Sequence, residues 1–212
     1  MRRGSVLITW IVGFSVCYVG STLALGSTPH ADATGLEVVR WFRDNGSHVR
    51  LAVWFLTFAM VFFAGFASIV RSYLPAPHRD LFFIGAVTLI AETVVQSWLM
   101  AGLALHPRGL QPATGRLVLD VAIFWGPVLT SSAMMMLAPI TVLALQGRLF
   151  PRWIGYVTLA ALVEQAIETI TVFGHRGFIA PGGPMNLLLG AGLTSVALIA
   201  VGISVARSAA TA

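Results

Sequence analysis

The sequence has no lysine, a single cysteine and few charged residues of any kind. Without a lysine amine, the chain cannot form a Schiff base with a retinal-type or pyridoxal-type cofactor. Cys17 lies inside the first apolar run, so neither an intrachain disulfide nor a cysteine metal cluster can form. Charged residues make up 10% of the 212 positions, against roughly 25% in soluble domains. A soluble fold of this size could not cover its surface with so few polar groups.

The apolar content indicates that lipid is the main solvent of the chain. Hydrophobic residues make up 57% of the sequence, and a helix needs about 20 apolar residues to cross a hydrocarbon core of about 30 Å. Runs of this kind lie at about residues 5–25, 51–70, 81–105, 117–145, 153–173 and 185–206. We therefore predict an all-α fold, a polytopic bundle of about six transmembrane helices that forms one domain over residues 1–212.

The basic residues indicate topology and not nucleic-acid binding. All 13 are Arg, and they are scattered between the apolar runs or at their ends. A nucleic-acid surface needs clustered charges, so membrane lipid is the expected partner. The first run, Ser5 to Leu25, exceeds the roughly 7–15 residues of a signal-peptide core, so we predict a retained span. Arg2 and Arg3 favour a multi-pass protein of the cell membrane with both termini cytoplasmic.

The longest loop, residues 26–50, predicts a short helix on the outer membrane surface. Thr34 stands three residues before Glu37, which is capping-box spacing, and Asn45-Gly46 is a typical helix stop. Such a helix would be an anchored connector, or a lid over an opening among the spans.

Two spans have unusual residues for a membrane helix. The fourth carries Gly126-Pro127 near its middle and Pro139 near its end, which predicts a tilted or kinked helix. The sixth carries small residues, among them Gly190, Gly202 and Ala206, that allow close helix contact. Either internal packing or the seam of a homo-oligomer would explain them.

Four acidic residues lie inside predicted spans: Glu92, Asp120, Glu164 and Glu168. A charged carboxylate at a helix centre costs about 2.5–3.5 kcal/mol on insertion scales. We therefore expect these four side chains to face the interior of the bundle, as candidate catalytic residues.

The spacing of these acids predicts polar faces that meet. Glu92 and Gln96 are four apart, as are Glu164 and Glu168, so each pair shares one helix face. Asp120, one turn after an arginine, and His175 would extend the polar material toward the outer surface. A neutral acid beside an ionised one can relay protons, as in acid–base catalysis and proton-coupled transport. Acids and amides also bridge membrane helices by hydrogen bonds, which is the structural alternative.

The candidate substrate-binding residues are polar or aromatic side chains close to these acids in the sequence: Gln96, Gln165, Trp98, Trp125 and His175. Aromatic rings beside an acidic pocket would suit an apolar ligand or stabilise a transient cation. Most aromatic residues of such a chain nevertheless face lipid or serve packing.

The sequence lacks the motifs of several common cofactor-binding and catalytic sites. The histidines lie in loops or at span ends, so a mid-membrane pair of haem ligands is missing. The chain also lacks a P-loop, a GxSxG elbow and an HExxH motif. We expect no cofactor and no metal, although a carboxylate metal site of Glu92, Glu164, Glu168 and His175 is conceivable.

Two stretches of the sequence carry a resemblance. Leu149 to Gly155 holds a Pro-Arg-Trp turn that enters a helix, and Asn45 to Arg71 is a polar turn followed by an aromatic span. In these stretches and in its span layout, the chain resembles a class of small polytopic membrane proteins common in actinobacteria. This resemblance implies a helical bundle in the membrane and no particular activity. The chain is also faintly similar to membrane-embedded terpene cyclases, whose acids protonate an isoprenoid in an aromatic cavity.

The leading hypothesis is a membrane-embedded enzyme or binder for a lipophilic, lipid-like or isoprenoid-like small molecule. In the enzyme form, intramembrane carboxylates perform isomerase-type or cyclase-type acid–base chemistry, with Glu92 and Glu164 as proton donor and acceptor. The second hypothesis is a proton-coupled transporter or an accessory subunit of a membrane complex. A purely structural accessory role is the third.

Overall fold

The computed structural model describes residues 3–211, and this part of the chain is helical without β-strands. Its seven α-helices are α1 (Arg3–Leu25), α2 (Gly35–Tyr73), α3 (His78–Leu105), α4 (Pro112–Ile123), α5 (Trp125–Leu145), α6 (Arg152–Glu168) and α7 (Ala191–Thr211). A 3₁₀ segment, Thr169–Phe173, extends α6, and a π-helical turn, Met185–Gly190, leads into α7.

Six helical segments within the described residues are long and apolar enough to cross a membrane, in agreement with the six predicted spans. They run over Gly4–Leu25, Gly35–Tyr73, His78–Leu105, Pro112–Leu145, Arg152–Phe173 and Met185–Ser208. Large apolar side chains such as Leu23, Trp98 and Leu188 lie exposed on the outside of the bundle. An apolar exterior of this kind is what a helix bundle presents to lipid.

The helices pack in a continuous arrangement around a core of aromatic and aliphatic side chains. Helix α1 packs against α2 and α7, α2 against α3, and α5 against α3 on one side and α6 on the other. The largest core cluster includes Phe63, Phe66, Phe82, Met136, Ile140 and Val201. Helix α5 therefore separates the polar residues of α3 from those of α6.

Helix α2 corrects the prediction of a separate short helix in the first loop. The capping box is present, since Thr34 and Glu37 cap each other's backbone groups, but the predicted stop at Asn45-Gly46 is wrong. The helix runs on for 39 residues, about 58 Å at 1.5 Å per residue. Its early apolar face, with Val38, Phe42 and Val49, is buried against α3 and α4. Tertiary packing on this face outweighs the weak helix propensity of Asn and Gly.

The fourth span is divided into two helices, which confirms the predicted kink. The chain turns at Phe124, between α4 and α5. Pro127 has no N–H to donate to the carbonyl of Ile123, four residues earlier, and its ring crowds that carbonyl. The helix therefore breaks within one turn before the proline.

The small residues of the sixth span are used in part for internal packing. A Cβ at Gly202 would overlap the side chain of Ile11 on α1, and a Cβ at Gly190 would overlap Glu168 on α6. Gly192, in contrast, has no neighbouring atom within 4 Å of such a Cβ. Gly190 and Gly202 thus permit close helix contacts inside the bundle.

Candidate intramembrane carboxylate site

Two of the four predicted acids meet at one amide group on α6. The Nε2 of Gln165 donates to Glu164 Oε2 at 2.9 Å and to Glu168 Oε2 at 2.7 Å. Four-residue spacing places the two acids on one helix face, as predicted, and Gln165 lies between them in the sequence. Gln165 and Glu168 are 4% and 3% exposed, so this arrangement is a buried one.

The π-helical turn supplies the second polar partner of Glu168. Asn186 donates through Nδ2 to Glu168 Oε1 and also lies 3.3 Å from the hydroxyl of Thr171. The Oδ1 of Asn186 in turn accepts from the backbone N–H of Gly182 at 2.9 Å. Both oxygens of Glu168 therefore accept hydrogen bonds from side-chain amides. Asn186 is itself held by the loop before the π turn.

Two glycines create the space for this network. Gly190 lies against the carboxylate of Glu168, and Gly126, at the start of α5, lies where a Cβ would come within 2.8 Å of Asn186 Cγ. A side chain at either position would occupy the volume of a hydrogen-bonded group. Gly126 of the fourth span thus leaves room for Asn186 of the sixth, and Gly190 of the sixth span leaves room for Glu168 of the fifth.

The carboxylate pair has no cationic partner among the described side chains. The ion pairs of the described residues involve Asp32, Asp80 and Asp120, and none includes Glu164 or Glu168. Glu164 is partly exposed, yet its Oε1 is buried and has no hydrogen-bond partner. One carboxyl oxygen of the pair therefore receives no hydrogen bond from the described residues.

Glu92 belongs to a different contact, which corrects the expectation that it meets Glu164. Its Oε2 accepts a hydrogen bond of 2.9 Å from Ser132, so the bond joins α3 to α5. The hydrogen bonds of Glu164 and Glu168 lie instead on α6 and the π turn. Because α5 packs between α3 and α6, the two predicted polar faces do not form one site.

Asp120 serves an ion pair at the end of the bundle. Arg116 pairs with Asp120 and also donates to the carbonyls of Ala31 at 2.7 Å and Ala33 at 2.9 Å. This contact ties the first loop to α4. Asp120 is thus satisfied by the arginine one turn before it and does not join the pair on α6.

An open cleft of about 410 Å³ lies beside this ion pair. Its lining residues include Asp32, Asp120, Phe124, Val172, His175 and Pro181. Asp120 and His175, which we expected to extend the polar material toward the outer surface, both line this cleft. Two lining residues are next in sequence to partners of Asn186, the residue that binds Glu168. Val172 follows Thr171, and Pro181 precedes Gly182.

The remaining predicted binding residues, Gln96, Trp98, Trp125 and His175, do not take part in the hydrogen bonds of the carboxylate pair on α6. Trp98 is 70% exposed on the outside of α3, whereas Gln96 and Trp125 are partly buried. His175 lies exposed at the cleft and away from the α6 pair. The described part of the chain brings no three His, Cys, Asp or Glu side chains together for a metal ion. The conceivable metal site of Glu92, Glu164, Glu168 and His175 is therefore not assembled in these residues.

Sequence reasoning missed Asn186, Thr171 and Ser132 as polar partners of the acids. Asn186 carried a usable signal, because it is a lone amide inside an apolar run and closely follows Gly182-Gly183-Pro184. Ser and Thr are common in membrane helices, where they bond to their own backbone. Thr171 and Ser132 therefore carried no comparable signal.

Comparisons of this chain with protein-family models, with curated proteins and with solved structures found no match.

Proposed function

We propose that this chain is a multi-pass protein of the cell membrane whose carboxylate pair on α6 exchanges protons with a lipophilic, lipid-like or isoprenoid-like substrate. The observation that carries the proposal is the pairing itself. Two carboxyl groups, that of buried Glu168 and that of partly exposed Glu164, share one buried amide nitrogen, and no cation in their described contacts balances their charge. Two close carboxyl groups of low solvent access favour a state in which one of them holds a proton.

The exposure of α6 supports access from the lipid. Val163 and Ile167, which flank Glu164 and Glu168 in the sequence, have exposed side chains, and Glu164 is itself partly exposed. A substrate dissolved in the bilayer would therefore meet Glu164 without passing through an aqueous channel. The carboxyl group of Glu164 is the group that gives or takes the proton.

The neighbouring residues have positioning roles in this proposal. Gln165 holds the two carboxyl groups together, and Asn186 fixes Glu168 from the opposite side. Glu168 then serves as the partner that shares the proton with Glu164 and stays buried itself. With both termini cytoplasmic, the polar cleft opens on the outer face of the membrane.

Deuterium transfer tests this chemistry before the substrate is identified. Isomerisation or cyclisation of an alkene adds one proton to carbon and removes another, so the product keeps its formula. The purified protein is incubated in nanodiscs of extracted polar lipids and isoprenoid alcohols in D₂O, and the lipids are examined by mass spectrometry. A lipid that gains one deuterium is expected for the wild-type protein and for Asp44→Asn, an exposed acid on α2. Glu164→Gln should abolish the label, and equal labelling by wild type and Glu164→Gln would contradict the proposal.

A second function, proton-coupled transport, is favoured by the cleft. Its lining residues adjoin in sequence the network that holds Glu168, which would connect the pair to one aqueous face. A transporter of this kind carries a flux that follows an imposed gradient. Proteoliposomes with a pH gradient would then take up protons in a substrate-dependent way, and Glu164→Gln would stop the flux. Proton uptake without deuterium labelling of any lipid would support the transporter function and contradict the enzyme function.

A further inference from the structure

Two arginines from neighbouring helices meet at one carboxylate in the turn between α2 and α3. Arg71, in the last turn of α2, lies 3.3 Å from Asp80 Oδ1 through its Nη2, and Arg79 lies 3.4 Å from the same oxygen through its Nε. The guanidinium of Arg71 also lies over the ring of Phe83, with 4.5 Å from Cζ to the ring centroid. These contacts hold two positive groups beside one negative charge.

Most of the hydrogen-bond donors of this arginine pair have no acceptor among the described side chains. An arginine carries five N–H donors, and the contacts of Arg71 and Arg79 with acids are the two with Asp80. The side chains of Arg71 and Arg79 are 43% and 50% exposed, so they can reach a ligand outside the bundle. Guanidinium groups bind phosphate through two parallel hydrogen bonds. The pair can therefore bind a phosphate group.

The end of the bundle that carries this pair has an excess of positive charge. Because α3 and the span formed by α4 and α5 each cross the bundle once, the turn between α2 and α3 lies at the same end as the turn between α5 and α6. Residues 71–80 and 146–152 contain four arginines and one acid, Asp80. Residues 26–50, which lead into α2 from the opposite end, contain three arginines and three acids. An anionic ligand is therefore favoured at the end with the two turns.

The arginine pair also lies where two apolar helices end. Both α2 and α3 are long and apolar enough to cross a membrane, and Arg79 is in the first turn of α3. Farther along α3, Leu81 and Ile84 have exposed side chains that lipid chains would cover. Arginine at the end of a membrane helix reaches the headgroup level. A ligand with a phosphate at the arginines and an acyl chain along Leu81 and Ile84 would match both surfaces.

We propose that Arg71 and Arg79 bind the phosphate of an anionic phospholipid at the turn between α2 and α3. A zwitterionic lipid is a poorer match, because its ammonium group would find one acid in the two turns, Asp80, which already pairs with both arginines. With both termini cytoplasmic, this turn faces the cytoplasmic leaflet, where anionic lipids attract basic segments. The inference rests on the membrane placement in the proposed function and not on the acids of α6.

Native mass spectrometry of the full chain in a neutral detergent tests this site. Phosphatidylglycerol and phosphatidylcholine with identical acyl chains are titrated, and the Kd values of the two lipids are compared. The wild type should bind phosphatidylglycerol about five- to tenfold more tightly. Arg79→Gln should lose most of this preference. Arg108→Gln, which removes an exposed arginine from the opposite end of the bundle, should keep it.

Asp80→Asn distinguishes lipid binding from a purely structural role of the two arginines. The amide keeps an oxygen that accepts from the arginines and removes the competing charge. The affinity for phosphatidylglycerol should therefore rise about fivefold, which a structural role alone would not produce. Equal Kd values for the two lipids in the wild type would overturn the inference. An affinity that Asp80→Asn leaves unchanged or lowers would do the same.

A second measurement distinguishes the lipid from free phosphate. Thermal melting in detergent is followed in sodium phosphate and in sodium chloride at equal ionic strength, and the same wild-type Tm is expected in both salts. A higher Tm in phosphate that Arg79→Gln removes would assign the site to free phosphate and contradict the lipid. Deuterium labelling without a preference for phosphatidylglycerol would remove this lipid site alone. A preference without labelling would remove the proposed proton chemistry alone.

Discussion

The carboxylate of Glu168 lies directly against the α-carbon of Gly190, at a distance that no side chain at position 190 would permit. Because the same carboxylate accepts hydrogen bonds from Gln165 and Asn186, it cannot move without the loss of one of them. This contact joins the polar site to the packing of α6 against the last span. It also makes the site sensitive to a single added methyl group.

Gly190→Ala should therefore destabilise the bundle, whereas Gly192→Ala should not. Overpacking of this kind costs about 1–3 kcal/mol, which exceeds the roughly 1 kcal/mol that alanine adds over glycine in a helix. Gly192 has open space at the Cβ position, so it is the matched control. Thermal melting in detergent measures the Tm of both variants. An equal Tm for the two variants would mean that Glu168 does not occupy this position.

Asn186→Ala should lower stability because it leaves Glu168 Oε1 without its amide donor. A buried carboxylate that loses a partner costs about 1–3 kcal/mol. Asn45→Ala is the control, since the amide of Asn45 bonds only to the carbonyl of Trp41, one turn earlier on the same helix. The double variant Asn186→Ala, Glu168→Ala should lose less than the sum of its parts, as measured by thermal melting. If the two single losses of stability add up to the loss in the double variant, the hydrogen bond between Asn186 and Glu168 is contradicted.

Arg116→Gln should release the first loop. Its guanidinium holds Asp120 and the carbonyls of Ala31 and Ala33, so its removal leaves the segment before α2 without its main polar anchor. Amide hydrogen exchange at residues 26–34 should rise about tenfold or more, in line with the loss of several charge-assisted bonds. Arg176→Gln is the control, because its pair with Asp32 is long and exposed. Unchanged exchange in Arg116→Gln would contradict the anchoring role.

The span pattern was predictable from the sequence because each apolar run is long enough to decide its own structure. The capping box at Thr34 and Glu37 and the break before Pro127 were predictable for the same reason, since each depends on residues close in the chain. The predicted stop at Asn45-Gly46 failed because Gly46 packs against the carbonyl of Ala104 on α3, a contact far away in sequence. Signals from residues close in sequence therefore predicted where helices form, but they did not predict that α2 continues through Asn45-Gly46.

The part of the site that lies on a single helix, α6, was predictable from the sequence, and its partners on other helices were not. Four-residue spacing placed Glu164 and Glu168 on one face, and the structure joins them through Gln165. The partner across the interface, Asn186, depends on the register of α6 against the π turn, which no periodicity in the sequence reports. The expected meeting of Glu92 with Glu164 failed because the order of helices in the bundle places α5 between them.

Glu92→Gln is expected to retain lipid labelling that Glu164→Gln loses, because Glu92 is a bridge between α3 and α5 and not a member of the pair on α6. A glutamine at position 92 keeps an oxygen that accepts from Ser132, so the bridge survives the loss of the charge. Ser132→Ala removes the donor, and its Tm should fall by the equivalent of about 0.6–2 kcal/mol, the range for hydrogen bonds between membrane helices. Deuterium transfer and melting are measured on the same preparations. Complete loss of labelling in Glu92→Gln, with an unchanged Tm, would place Glu92 in the reaction and would show that the two sides of α5 act together.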